Sequence, residues 1–368
     1  MLRRRTTLAV VLAGALATAC TSTRVVTVGG THPPASGSGS MSGSPSPGPS
    51  ASAPQSATAS TSASPTPAPN VLAVAKKVHA DELGQVPVLM YHQLVANPAG
   101  DRYNQTPAAF LAEMTRLERD GYVPVTAADY VAGRIDVPAG KHPVVLTFDD
   151  STRSQFGLGA DGKPLPTTAV GILVAFAAAH PDFPAHATFF VNNAGWGTNR
   201  ADLKWLHDNG FEVAVHTVSH ANLANLTDAQ VQHEIGGNFA MIEAAIGSAP
   251  TTFALPYGAS AKHRTLEMAG TSGGVSYHLA GVFLVGSNPA HSPYAKTFDP
   301  AGIPRIRSQS TPGGPNDMPY ESAAELTVLE QHPERLFTSD GDPAVVSYPK
   351  ASAKYVGKLP AGVATNAY

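Results

Sequence analysis

The 368 residues carry 24 Lys and Arg against 27 Asp and Glu, a formal net charge of −3 and a pI near 6.5. A chain so balanced presents no basic footprint for nucleic acid, and with 43% hydrophobic residues it holds enough apolar material for a sizeable core. Its single cysteine, Cys20, excludes an intramolecular disulfide framework and a cysteine-rich zinc site.

Arg3, Arg4 and Arg5 precede an apolar run from Leu8 to Ala19 that is too short to span a bilayer comfortably. Residues 1–20 therefore read as a signal peptide ending in a lipobox-like Ala17-Thr18-Ala19-Cys20. The expected location is extracytoplasmic, with the protein either anchored to the membrane through a lipidated Cys20 or secreted. Residues 21–70 are mostly Ser, Pro, Ala, Gly and Thr, with too few apolar side chains to offset chain entropy. They read as a disordered linker, which leaves residues 71–368 as the folded domain, expected to be a monomer.

Val86 to Leu94 reads as a buried strand with His92 near its end. Thr106-Pro107 opens a helix whose apolar face holds Phe110, Leu111, Met114 and Leu117, and which Gly121 ends. A short strand YVPVT and a short helix from Ala127 to Gly133 lead to VVLTFDD, Val144 to Asp150. This β-branched run stops at two adjacent carboxylates, and charge rarely sits at a buried strand end without a partner. Ser151 to Pro166 follows as an insertion, read as a loop over the site.

Further on, helices at Thr167 to Ala179, at Leu203 to Asn209 and after the Thr227–Gln230 capping box alternate with strands. Those strands are Ala187 to Val191, Phe211 to His216 and Thr251 to Leu255, the last running into Pro256-Tyr257-Gly258. Past Gly258 the pattern weakens to short strands at Val282 to Val285, Ile303 to Ile306 and Ala344 to Tyr348. Repeated β-then-α units predict a parallel sheet covered by helices, open or closed into a barrel. Asp149, Asp150, His216 and Tyr257 all fall at strand C-terminal ends, where such folds place their sites.

In HTVSH, His216 and His220 are about 13 Å apart if the strand runs straight, so the chain must turn after His216 for both to share an ion. With Asp150 they make a three-ligand site of two imidazoles and one carboxylate, which suits zinc or another borderline divalent ion with positions left open for water and substrate. Asp149 remains to take a proton from that water.

TFDD, then HTVSH, then a strand ending in PYG resembles the NodB-type polysaccharide deacetylases of carbohydrate esterase family four, in an actinobacterial-type lipoprotein variant. The YH of VLMYHQL and the ATFFV strand add to the likeness, which covers Val86 to Gly258. The resemblance implies a distorted (β/α) barrel and N-deacetylation of an amino-sugar polysaccharide. It gives Asp149 as general base, Asp150, His216 and His220 as metal ligands, and the Tyr257 backbone N–H as an oxyanion donor. Two alternatives stand beside it: an O-acetyl glycan esterase of the same family, and a catalytically impaired, metal-containing glycan-binding lipoprotein.

The sequence departs from the family pattern at three points. Ser151 replaces the glycine after the acids, and Ala254 stands where the family carries the arginine that orients the base. Arg305 or Arg307 is the substitute to look for. No motif marks the general-acid histidine, for which His278, His291 and His332 are the candidates.

Overall fold

The computed structural model describes residues 69–98, 101–197, 200–308 and 321–368. The signal peptide, Cys20 and nearly all of the linker lie outside the described residues. Among the described residues no helix is long and apolar enough to cross a membrane.

Helix α1 (Pro69–Val78) leads to β1 (Val88–Tyr91). Then come α2 (Pro107–Arg119), β2 (Tyr122–Val125), α3 (Ala127–Val131) and β3 (His142–Phe148). Next are α4 (Ala169–Ala179), β4 (Thr188–Val191), α5 (Arg200–Asp208), β5 (Glu212–Val215), α6 (Asp228–Ile246) and β6 (Thr252–Ala254). Short elements follow: α7 (Thr265–Met268), β7 (Ala269–Ser272), β8 (Val275–His278), β9 (Gly281–Phe283) and β10 (Ile306–Arg307). The last three are α8 (Ser322–Gln331), β11 (Val345–Tyr348) and β12 (Ala364–Ala367).

The main sheet runs β10-β1-β3-β4-β5-β6-β9, with β2 on the first half of β3. All of its pairings are parallel. Its two edges meet, because Ile303, just before β10, bridges in parallel to Phe283 of β9. One short segment thus pairs with β9 through Ile303 and with β1 through Ile306, and the result is the expected distorted (β/α) barrel.

Side chains alternate between the two faces of a strand. One set, including Val88, Val125, Val145, Phe190, Ala214, Ala254 and Phe283, packs together inside the barrel. The other set, including Leu89, Leu146, Phe189, Val213, Val215 and Phe253, packs outward against α2, α4 and α6. Those helices form where their ends are capped. The Thr106 side chain accepts from the Ala109 N–H with Pro107 at the first position, Thr168 accepts from Gly171, and Thr227 and Gln230 make the reciprocal capping box.

Leu111 does not join the buried face of α2: Phe110, Met114 and Leu117 lie at i, i+4 and i+7, while Leu111 is turned about 100° away and is exposed. The β7–β8 hairpin, turning through Gly273 and Gly274 at positive φ, was not foreseen, nor were α8 and β12. Residues 151–166 also differ from expectation. None of them lines the cleft described below; Gln155 and Phe156 are buried against the sides of the strand ends.

Candidate active site

Alternation decides which polar side chains reach the barrel mouth. Val145 faces inside, so Thr147 and Asp149 do too; the same parity carries β1 from Val88 to His92 and β5 from Ala214 to His216. It also carries the closing segment from Ile303 to Arg305. His92, Asp149 and His216 follow the C-terminal ends of the parallel strands β1, β3 and β5, and Arg305 lies just before β10.

Asp149 and Arg305 are both fully buried and form a bidentate pair, with Nη1 donating to Oδ1 and Nη2 to Oδ2, each at 2.7 Å. The rest of the guanidinium is also held, with Nε donating to the Leu284 carbonyl and Nη1 reaching Thr147 Oγ1. Burial pushes the Asp149 carboxyl up, but the charges of Arg305 and His216 more than reverse that and leave it well below the usual carboxylate range. Of the two arginines considered from sequence, Arg305 is therefore the partner. Arg307 lies instead near the ring of Tyr103 and within 3.7 Å of Glu321.

Asp150 leaves the strand at φ 73 and Ser151 follows at φ 47, the left-handed region that explains the family's preference for glycine here. Ser151 is accommodated because Gly195 packs against it: a Cβ there would stand 2.4 Å from Ser151 Oγ. The turn brings Asp150 to HTVSH. The chain bends after His216 through Thr217 (φ 70) and His220 (φ 58), in place of a helical turn. His220 Nε2 and His216 Nε2 then lie 3.2 and 3.4 Å from Asp150 Oδ1.

One donor atom from each of Asp150, His216 and His220 falls within 4.8 Å of the other two. His216 Nδ1 donates to the Ala254 carbonyl at 2.8 Å, which fixes its tautomer and turns Nε2 inward. Asp150 Oδ1 and His216 Nε2 are buried yet lack hydrogen-bond partners among the described residues. Burial, with His216 beside it, lowers the His220 pKa and favours the neutral imidazole a metal requires. A set of two imidazoles and one carboxylate with orphaned inward atoms fits a divalent cation.

The cleft has a volume of about 310 Å³ and is lined by His92, Asp149, Asp150, His216, His220 and Tyr257, among others. Tyr257, in a 3-10 turn at φ 59, is 67% exposed, with its ring centroid 4.5 Å from that of His220. Across the cleft, His92 lies beside Tyr103, with ring centroids 4.9 Å apart. Burial lowers the His92 pKa, opposed by the charges of Asp149 and Asp150, and its buried Nδ1 has no hydrogen-bond partner among the described residues. His278, His291 and His332 are all exposed and line no part of the cleft. The cleft's third histidine, His92, is outside the general-acid candidates drawn from the sequence, although strand parity from Val88 leads to it.

Residues 136–273 match the family model for polysaccharide deacetylase, so the chain carries a domain of that type. The match spans both acids, both HTVSH histidines and Tyr257, and leaves His92 and Arg305 outside it.

Among solved structures the chain is similar to the Streptococcus pyogenes deacetylase PplD, solved in complex with acetate (18% identity over 63% of this chain and 96% of that one, TM-score 0.48). It is also similar to BC0361, a polysaccharide deacetylase from Bacillus cereus (21% identity, 62% and 66%, TM-score 0.48). A third is IcaB from Ammonifex degensii (21% identity, 61% and 92%, TM-score 0.45). No curated protein matches the sequence.

Proposed function

We propose that this protein removes N-acetyl groups from an amino-sugar polysaccharide outside the cytoplasm, using a divalent metal, best matched by zinc. The observation that carries the reading is one cleft lined by the Asp150, His216 and His220 cluster, Asp149 and His92, with the buried Arg305 paired to Asp149 behind it. Bound by Asp150, His216 and His220, the ion supplies Lewis acidity toward the acetamide carbonyl and toward water.

Asp149 takes the proton from the attacking water. Arg305 keeps its carboxylate ionised and fixes its orientation without consuming every lone pair, since each oxygen accepts one guanidinium bond. His92 protonates the departing amine, and the Tyr257 backbone N–H donates to the developing oxyanion. Its position in the cleft and a buried Nδ1 without a hydrogen-bond partner among the described residues support this role for His92.

The Arg305 pair to Asp149 and the presence of His92 in the cleft support turnover over the impaired-binder alternative. The signal-like residues 1–20 support an extracytoplasmic protein, lipid-anchored through Cys20 or secreted. The test is acetate release from chitooligosaccharides, peptidoglycan and poly-N-acetylglucosamine, with and without zinc. Release that requires metal is expected, and metal-independent release would overturn the assignment of the cluster.

A further inference from the structure

The acid–base pair proposed above sits on two neighbouring strands, and something must fix the spacing of the strand ends once their ladder stops. The last ladder bond between them runs from the Asp149 N–H to the Tyr91 carbonyl. Beyond it, the carbonyls of His92 and Asp149 are strand-end acceptors in a buried region. A buried carbonyl without a donor is costly.

Both are satisfied by one side chain. Gln155 is fully buried, and its amide nitrogen donates to the His92 carbonyl at 2.7 Å and to the Asp149 carbonyl at 2.5 Å. A primary amide has two N–H donors, one for each carbonyl. Flipping the amide would set Oε1 against two carbonyl oxygens, so the acceptors themselves decide its orientation.

Gln155 is in turn anchored on both sides. Its N–H donates to the Thr152 carbonyl, and its own carbonyl accepts from Val170 in the first turn of α4. Neighbouring residues tie the same segment to the adjoining strands. Ser154 Oγ accepts from the Leu94 N–H at 3.0 Å, and Ser151 Oγ accepts from the Asn192 N–H at 3.3 Å.

We infer that Gln155 is a positioning residue: its side-chain amide clamps the backbone of His92 to that of Asp149 and so sets the distance between the acid and the base. This rests on the acid and base roles proposed above. A misplacement of about 1 Å in a reacting group can cost about 10²-fold in rate, and the clamp acts on the very peptide groups from which both side chains hang. The insertion after the acids, which departs from the family pattern, thereby acquires a purpose.

The experiment uses the full, zinc-loaded chain and a chitooligosaccharide. Gln155→Met keeps length and removes both donors; Gln155→Asn keeps the amide but is one methylene too short to reach both carbonyls. Each should retain zinc and cooperative unfolding, lower kcat about 10- to 100-fold and leave KM within about threefold.

In a His92→Ala background the same substitutions should cost less than about threefold, since the clamp has lost one of the groups it positions. Unchanged kcat in either variant, or an equal loss with and without His92, would overturn the inference and leave Gln155 a purely structural residue. If Met at 155 prevents folding, the milder Asn variant decides. Full activity in His92→Ala and Asp149→Asn would instead remove the acid and base roles themselves, whatever Gln155 does.

Discussion

Arg305→Met is the substitution that tests the buried pair most severely. Methionine keeps much of the side-chain volume but removes both charge-assisted bonds to Asp149. Breaking a buried ion pair from one side leaves an uncompensated charge and costs about 3–5 kcal/mol.

The pH dependence should reverse sign as well. In the wild type, the folded Asp149 pKa lies below the ordinary 3.8, so its stabilisation is present above that value and fades as pH falls through the folded pKa. Without Arg305, burial, the largest single influence on this carboxyl, pushes the folded pKa above the unfolded one. Asp149 then favours the fold only in its neutral form, below the unfolded pKa, and that stability is lost as pH rises through the raised value.

Urea unfolding across the acid-to-neutral range should therefore show a gap between wild type and variant that widens with pH and reaches about 3–5 kcal/mol near neutrality. Arg305→Met with Asp149→Asn should recover much of the stability, because the stranded charge is gone, and none of the acetate release. A single variant that loses less than about 1 kcal/mol and still turns over would refute the dependence of Asp149 on Arg305.

Asp150→Ala and His216→Ala should each abolish zinc binding by elemental analysis; full metal content in either would sink the ligand assignment. Asp149→Asn and His92→Ala should keep the metal while kcat falls about 10²- to 10⁴-fold, measured as acetate release at saturating substrate. Glu212, which accepts from Thr188 Oγ1, Thr252 Oγ1 and the Ala128 N–H, has its pKa raised by burial. Its stabilisation is thus complete below the ordinary 4.5 and lost as pH rises through the raised folded value. Glu212→Gln should flatten the stability profile across that window, and an unchanged slope would contradict it.

Much of the barrel was legible because its strands are short apolar runs and its helices carry readable caps at Thr106-Pro107 and Thr227–Gln230. The metal cluster was legible too, since Asp150, His216 and His220 lie in two compact motifs. Arg305 and His92 were harder. Arg305 reaches Asp149 through barrel closure, which pairs β10 with β1 and Ile303 with β9 across long sequence separations. Local spacing cannot encode such a contact, although strand parity from Val88 leads directly to His92. Gln155 had no signal at all: its role depends on two backbone carbonyls, and every residue has one. The hairpin at Gly273-Gly274 carried a turn signature that was overlooked.

The central claim is hydrolysis of an acetamide at the Asp150, His216 and His220 cluster with Asp149 as base. Its most direct test is the ratio of acetate released to free amine formed when zinc-loaded protein acts on poly-N-acetylglucosamine, chitooligosaccharides and peptidoglycan. A one-to-one ratio on at least one polymer is expected, with both products lost in zinc-loaded Asp149→Asn. Acetate without new amines would mean ester hydrolysis, and no acetate from any of the three by the zinc-loaded wild type would contradict the account.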